Sequence, residues 1–348
     1  MRRTAILFVI TTVVALGQKP ADGNADRTFQ FIHTEGVQNL QEVATAIRTI
    51  ADIKQASVDT AQKSLAVRGT AAQIGVAEWL WKELDQFPVP AASQDSATHE
   101  YRMPEGSLGS EHGETAVRVF YLPNTRTVQD FQEVATLVRT TAEIRRVFTY
   151  NGNRALIMRG TAGQMAHAEW LIGQLGGPPS TQSVSAAPAY RLSKDQSVGD
   201  GADLVRVFYL PHTATVQAFQ EAATLIRTIA EIRRVFTYNT PRALALRGTD
   251  DQIALAEWLL QALDQAANAQ PDAAPREYRP SASTDDVVRV FTLTHAATAQ
   301  RVQEVATEVR TATGVPHLFI YNPARALALR GTVAQIAQAD LLIKERDK

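Results

Sequence analysis

The sequence predicts an α+β protein of four tandem βαββα modules, each a three-stranded sheet with two helices on one face. Two recurring phrases support this prediction. The phrase Gln-Glu-Val/Ala-Ala-Thr starts at Gln41, Gln132, Gln220 and Gln303. The phrase Arg-Gly-Thr has its glycine at Gly69, Gly160, Gly248 and Gly331. Because the glycine lies 28 positions after the glutamine in every copy, the copies have one length, which indicates a tandem repeat.

The first strand and first helix are clearest in the second copy. Residues 117–122 are β-branched and aromatic and stop before Pro123, which is typical of a strand. Equivalent strands are predicted at residues 28–32, 205–210 and 288–293. After Thr127, apolar residues recur at every third or fourth position from Val128 to Val138. This spacing predicts an amphipathic helix with an N-cap.

A hairpin and a second helix complete the module. Residues 146–150 and 155–159 predict two strands, and Asn151-Gly152 between them suits the positive φ of a hairpin turn. After Gly160, a Thr-x-x-Gln pattern predicts a capping box at the start of the second helix. The box recurs as Thr70 and Gln73, Thr161 and Gln164, Thr249 and Gln252, and Thr332 and Gln335.

Alternation along the strands predicts which side chains face the helices. In copy two we expect an inner set of Phe120, Leu122, Phe148, Tyr150, Leu156 and Met158. The outer set is then Val119, Tyr121, Val147 and Ile157. This outer face is apolar, and apolar patches of this kind mark interaction sites.

The length variation falls between the modules, because successive copies start 91, 88 and 83 residues apart. The intervening segments are rich in Pro, Ala and Ser, which predicts linkers. The predicted divisions are a signal peptide at 1–17, modules at 28–85, 117–175, 205–264 and 288–348, and linkers at 86–116, 176–204 and 265–287.

A Tyr-Arg pair recurs within the predicted linkers, at Tyr101, Tyr190 and Tyr278. Two interpretations are open. The pair adds a short edge strand to the following module, which we favour, or it is a spaced peptide motif that a partner binds.

The N-terminal residues predict export. Arg2 and Arg3 precede an apolar stretch at 5–16 and a small-residue cleavage site at 15–17. The chain has no cysteine, which excludes disulfides and thiolate metal sites. A net charge of -1 makes nucleic acid an unexpected partner. We expect a periplasmic or secreted protein with no stable membrane insertion after cleavage of the signal.

The phrase Ala-Leu-Ile-Met-Arg-Gly-Thr at 155–161, followed by Gln-x-x-x-Ala-Glu-Trp-Leu-Ile at 164–172, resembles the periplasmic N-domains of secretins. The resemblance implies a KH-like fold, ring-building modules, lateral packing between modules and contacts with other envelope proteins rather than catalysis. Seventeen residues follow Gly331, so we expect no equivalent of the secretin pore domain.

The candidate chemistry predicts no catalytic, cofactor or metal site. No pair of the seven histidines has metal-ligand spacing. Carboxylates recur in helix two, at Glu78, Glu169, Glu257 and Asp340. Arginines recur in helix one, at Arg48, Arg139, Arg227 and Arg310. Because an active site usually makes one copy differ from the rest, these equal positions predict structural ion pairs between helices or modules.

Candidate interface residues fall into three groups. They are the outer-face tyrosines Tyr121 and Tyr209, the basic pairs Arg145 with Arg146 and Arg233 with Arg234, and the helix-two tryptophans Trp79, Trp170 and Trp258. The basic pairs would contact an acidic partner, or would only keep strand ends from pairing edge to edge. The tryptophans would pack within or between modules, or would anchor a partner.

The sequence therefore predicts a non-enzymatic exported scaffold or protein-binding repeat protein of the cell envelope, without a cofactor. One alternative is an accessory periplasmic subunit of a secretin-containing secretion or pilus machine, and another is an envelope hydrolase. Both envelope proteins and further copies of the chain are possible partners, and the sequence leaves open a ring or an elongated monomer.

Overall fold

The computed structural model describes residues 23–86, 99–107, 113–175, 188–193, 196, 201–264, 276–280, 285–296 and 298–348. The predicted signal peptide lies outside the described residues. The chain divides into unit 1, Met1–Gln86, which contains module 1, and unit 2, Phe87–Lys348, which contains modules 2 to 4.

Module 1 has the predicted βαββα order. Its elements are β1 (Ala25–Gln30), α1 (Val37–Ile50), β2 (Gln55–Asp59), β3 (Ser64–Gly69) and α2 (Ala71–Leu84). The strands form an antiparallel sheet in the order β1-β3-β2. Phe29 and Leu65 are buried, and the Trp81 ring stacks on Phe29 at 5.5 Å between ring centroids.

Modules 2 to 4 each contain four strands and two α-helices in the described residues, and module 4 has in addition a 3-10 helix at Asn322–Ala324. Module 2 has β4 (Glu100–Arg102), β5 (Ala116–Tyr121), α3 (Val128–Thr141), β6 (Arg146–Tyr150), β7 (Ala155–Gly160) and α4 (Ala162–Leu175). Module 3 has β8 (Ala189–Arg191), β9 (Leu204–Tyr209), α5 (Val216–Ile229), β10 (Arg234–Tyr238), β11 (Ala243–Gly248) and α6 (Asp250–Leu263). Module 4 has β12 (Arg276–Tyr278), β13 (Asp286–Thr292), α7 (Ala299–Thr313), β14 (His317–Tyr321), β15 (Ala326–Thr332) and α8 (Val333–Arg346).

The prediction of three-stranded sheets is wrong for modules 2 to 4, whose sheets have four strands. The additional strands β4, β8 and β12 contain the Tyr-Arg pairs or their tyrosine and lie at the sheet edge beside β5, β9 and β13. The segments predicted as linkers therefore contain edge strands. A three-residue strand is too short to show an alternating pattern. Its pairing with the first strand of the module satisfies backbone groups of that first strand that would otherwise form an open edge.

The predicted faces of the second strand were also wrong. Val147 lies opposite Met158 and shares the inner face, whereas Phe148 lies opposite Ile157 and Tyr150 opposite Ala155 on the outer face. The hairpin turn sets this register, and a shift of one residue moves every side chain to the other face.

The expected ion pairs have different partners from those predicted. Glu169 pairs with Arg118 on the first strand at 2.8 Å, and Glu257 pairs with Arg206 at 2.5 Å. The helix-one arginines instead reach the second strand. Arg227 donates to the carbonyl of Val235 at 2.7 Å, and Arg310 donates to that of Leu318 at 3.0 Å. These arginines therefore cover backbone oxygens at a sheet edge.

Successive modules of unit 2 are packed with the sheet of one on the helices of the preceding one. The core of module 2 continues into the outer face of module 3 through Val205, Val207, Tyr209, Tyr238, Ala243 and Ala245. The core of module 3 continues in the same way into module 4 through Val288, Val290, Tyr321, Ala326 and Ala328. Each large apolar side chain buried in this way contributes roughly 1.5–3 kcal/mol. The outer faces of modules 3 and 4 are therefore covered by this chain.

Candidate functional site

The recurring chemistry of unit 2 lies at the interfaces between modules 2 and 3 and between modules 3 and 4. At both interfaces, a glutamate on the first helix of one module binds an asparagine of the next module. Glu133 accepts hydrogen bonds from the backbone N and Nδ2 of Asn239, at 2.9 and 3.0 Å. Glu221 accepts the same pair from Asn322, at 3.1 and 3.2 Å. We call this contact the Glu–Asn clamp, and its two bonds define how the hairpin turn sits on the helix.

The arginine of the Arg-Gly-Thr phrase makes a second contact between modules. Arg247 is 2% exposed, donates to the Thr141 carbonyl at the C-terminal end of α3, and pairs with Glu143 at 3.1 Å. Arg330 repeats this at the next interface, because it donates to the Ile229 carbonyl and pairs with Glu231 at 3.1 Å. A cation at a helix C-terminus is stabilised by the helix dipole and by free carbonyls.

The glutamates in these ion pairs occupy a strained backbone position. Glu143 and Glu231 have φ of 54° and 55°, in the left-handed region, and the equivalent residue of module 4 is Gly314 at φ 58°. A side chain costs about 1 kcal/mol there. The glutamates have their carboxylates on Arg247 and Arg330 of the following module, which accounts for a side chain where glycine fits best.

Aromatic rings close each interface on the side of the edge strand. Trp170 of α4 packs on Tyr190 of β8 at 5.3 Å, and Trp258 of α6 packs on Tyr278 of β12 at 5.5 Å. The tryptophans therefore join a helix of one module to the edge strand of the next. The indole supplies the large apolar area for this contact.

His167 adds a titratable group to the module 2–3 interface. Its ring stacks on Tyr190 at 4.9 Å with an interplanar angle of 5°, it is fully buried, and neither ring nitrogen has a hydrogen-bond partner among the described residues. Burial, with a smaller effect of the charge on Arg247, lowers the pKa of His167 to about 3. The ring is therefore neutral at physiological pH.

The capping boxes have a second function beyond the helix ends. In all four, the Thr hydroxyl accepts from the Gln backbone N–H and the Gln carbonyl accepts from the Thr N–H. Each Gln also donates to the carbonyl of the left-handed residue, which is Asp52, Glu143, Glu231 or Gly314. A Cβ on Gly160 would lie 2.7 Å from Oε1 of Gln164, so close approach explains the glycine of the phrase.

The structure separates the predicted interface residues. Tyr209 is buried between modules 2 and 3, where its hydroxyl donates to the Gln174 carbonyl. Tyr121 is half-buried with its ring edge-on to His99 at 5.3 Å.

The two members of each basic pair have different surroundings. Arg234 pairs with Glu143 of module 2 at 3.3 Å, and Arg146 pairs with Glu114 at 3.9 Å. Arg145 and Arg233 are exposed. Trp79 is half-buried in unit 1.

Module 4 differs from module 3 at the positions that make these contacts. Glu308 of α7 stands where α3 and α5 have the buried Leu137 and Leu225, and it pairs with Arg346 at 2.8 Å. Leu341 stands in the place of the tryptophans and is 71% exposed. The helical surface of module 4 is therefore more polar at the positions where the helices of modules 2 and 3 contact the following module.

Sequence reasoning missed the Glu–Asn clamp and the role of the phrase arginine. Both residues of the clamp recur in the sequence. The glutamate belongs to the first repeated phrase, and the asparagine belongs to the hairpin turn. The sequence signal that could have revealed these contacts is the set of repeat positions at which the first or last module has a different residue. Module 1 has Thr60 at the position of Asn239, and module 4 has Glu308 at that of Leu225. Positions that change with place in the array indicate contacts between copies.

Two general properties of the described residues bear on function. The part of the chain that the structure describes holds no group of three or more His, Asp or Glu side chains placed to bind a metal ion. Within the same ranges, no helix is both long and apolar enough to cross a bilayer.

Three solved structures of secretins are similar to parts of the chain. Aeromonas hydrophila ExeD has 12% identity, over 66% of this chain and 40% of its own, with a TM-score of 0.16. The pilotin–secretin complex AspS–GspD of ETEC has 11% identity, over 67% and 37%, with a TM-score of 0.16. The type II secretion system secretin GspD of E. coli K12 has 11% identity, over 89% and 59%, with a TM-score of 0.15.

The chain covers less than two thirds of each of these secretins. TM-scores this low establish no common arrangement of the modules. No protein-family model and no curated protein matches the sequence.

Proposed function

We propose that the chain is an exported, non-enzymatic scaffold of the cell envelope, periplasmic or secreted, that holds protein partners on a rigid array of modules. The observation that carries the proposal is the repetition of one set of contacts at two interfaces. The Glu–Asn clamp, the phrase arginine and the Trp–Tyr pair all recur between modules 2 and 3 and between modules 3 and 4. A fixed spacing between equal modules suits a scaffold.

The charged residues that recur in unit 2 support a structural role. Glu133, Glu221, Arg247 and Arg330 all form hydrogen bonds or ion pairs between modules. Catalytic acids and bases need an accessible site next to a substrate. These side chains are committed instead to joining modules.

The packing of unit 2 changes where a partner would bind. The outer faces of modules 3 and 4 cannot serve as partner surfaces, because helices of modules 2 and 3 cover them. The open strand edges β6, β10 and β14 remain, each paired on one side only. An open edge binds an extended segment of another protein through backbone hydrogen bonds.

The test is capture of the tagged chain from cross-linked envelope fractions, with mass spectrometry of the proteins recovered. We expect specific envelope proteins at a constant ratio to the chain. The matched variant Leu225→Glu, which would disrupt the module 3–4 interface, should reduce their recovery. Recovery of the chain alone from both samples would contradict a partner-binding scaffold and favour self-assembly.

A second candidate is an accessory subunit of a secretin-containing secretion or pilus machine. The phrases at 155–161 and 164–172 favour it, because they resemble secretin N-domains. Recovery of a secretin or pilus component in the same capture experiment would support this role, and its consistent absence in a host that expresses one would reject it.

A further inference from the structure

A groove runs beside β10, the open edge strand of module 3. A cavity of about 850 Å³ opens between the end of α5 and the start of β14, and one of about 440 Å³ opens between α3 and β10. Arg227 lines both cavities. We call the two together the basic groove, and their volumes are in the range of sites that enclose ligand side chains.

The lining of the larger cavity is strongly cationic. It contains Arg227, Arg233, Arg234 and Arg247, with Glu231 and His317. Glu231 forms an ion pair with Arg330, which lies outside the lining. Glu143 forms ion pairs with both Arg234 and Arg247. The four arginines of this lining are thus opposed by two carboxylates, Glu231 and Glu143, although the chain as a whole has a net charge of -1. Such a local excess attracts carboxylates.

Arg233 is an accessible cation of the groove, as is Arg227. Arg233 is exposed, and it forms no ion pair with a described residue. Module 1 has Lys54-Gln55 and module 4 has Pro316-His317 where module 3 has Arg233-Arg234. Module 2 has Arg145-Arg146 at the same position, so the basic pair is a property of the inner modules and not of the repeat in general.

The smaller cavity lies beside strand β10, and its lining mixes apolar side chains with polar ones, among them Gln132 and Glu133. Its lining includes Val235, Phe236 and Thr237 of β10 and Leu137 of α3. The strand β10 pairs only with β11, and the Val235 carbonyl accepts from Arg227 at 2.7 Å rather than from another strand. Since side chains alternate along a strand, an added strand would place every second residue in the groove.

We propose that the basic groove binds an extended acidic segment of a partner protein, which pairs with β10 and places its carboxylates on Arg227 and Arg233. Strand addition supplies the Val235 carbonyl with a backbone donor and releases the Arg227 guanidinium for a bidentate contact. The inference rests on the proposed scaffold function and names the chemistry of its partner.

The test uses the full chain and a fluorescent peptide of about 10 residues in which Glu and Val alternate, long enough to span the strand at about 3.3 Å per residue. We expect saturable binding by fluorescence anisotropy. Arg233→Gln should weaken it about tenfold, consistent with the loss of one charge-assisted contact. Arg279→Gln is the matched control, because Arg279 is 57% exposed and pairs with Glu277 away from the groove.

Two further peptides separate the parts of the proposal. A Lys-Val peptide should not bind, and a peptide with Pro at every second position should bind at least tenfold more weakly, because proline cannot donate to a ladder. Absence of Glu-Val binding, equal binding by Arg233→Gln and the control, or equal binding of the proline peptide would each overturn it. None of these results affects the capture experiment, so the scaffold and the groove fail separately.

Discussion

Modules 3 and 4 have the same order of strands and α-helices and the same capping boxes, but their helical surfaces differ. Helix α5 packs on β14 through its buried Leu225, and α6 presents Trp258 to Tyr278. At the same positions module 4 has Glu308 and the exposed Leu341. The fold of the module thus tolerates either surface. Docking of one module on another is encoded by a few positions outside the core, and exchanging them between modules tests this.

The largest effect is expected from Leu225→Glu, which gives module 3 the residue of module 4. It places a carboxylate in a fully buried interface, and we expect a loss of about 3–5 kcal/mol in the free energy of unfolding of modules 3 and 4. Urea denaturation followed by hydrogen exchange would measure it. The reverse change, Glu308→Leu, should stay within about 0.5 kcal/mol of the parent. Similar losses from both changes would refute the distinction between the two surfaces.

Removing the phrase arginine should have the next largest effect. Arg247→Met leaves the Thr141, Gln196 and Ala202 carbonyls without this donor, and we expect a loss of about 2–3 kcal/mol. The control is Arg68→Met in module 1, where the arginine is 40% exposed and pairs with Asp26 at 3.7 Å. That loss should be below about 1 kcal/mol. Thermal unfolding of both variants would measure these losses. Equal decreases in Tm for Arg247→Met and Arg68→Met would contradict the interface role of Arg247.

Acid should weaken the module 2–3 interface through His167. Its folded-state pKa of about 3 lies below the ordinary histidine value of 6.5, so between these pH values the unfolded chain binds a proton that the folded chain does not. Stability therefore falls as the pH drops below about 6.5, by roughly 2 kcal/mol at pH 5.

The variant for this test is His167→Leu, because module 3 has the buried Leu255 at the same position. Unfolding free energies at pH 7 and pH 5 should differ by about 2 kcal/mol less in the variant than in the parent. Other titrating groups are common to both proteins, so an identical pH dependence would exclude His167 as the cause.

The smallest effects are expected at the left-handed position. Gly314→Glu should cost module 4 about 1 kcal/mol, because the side chain is strained. Glu231→Gly relieves that strain but loses the ion pair to Arg330, so its net effect should lie within about 0.5 kcal/mol. Denaturant midpoints of the two variants provide the comparison. Equal destabilisation by both would show that the glutamate is not compensating for backbone strain.

Local features of the modules could be predicted from the sequence because short-range interactions decide them. The βαββα order follows from the periodicity of apolar residues, and the capping bonds follow from the Thr-x-x-Gln spacing. Boundaries were less accurate, since the first strands begin one to three residues before the predicted positions. The strands β4, β8 and β12 were favoured only through the Tyr-Arg recurrence, because three residues carry no periodic signal.

By itself, the sequence determined the order of strands and α-helices within the repeat and the residues that cap the helices, since each depends on contacts within a few residues of chain. Tertiary structure alone decided what the apolar outer faces pack against, which face Phe148 and Tyr150 occupy, and that Glu133 binds Asn239. The last contact joins residues 106 positions apart. Alternation predicts that two faces exist, but only strand register and the packing of whole modules determine which face meets which helix.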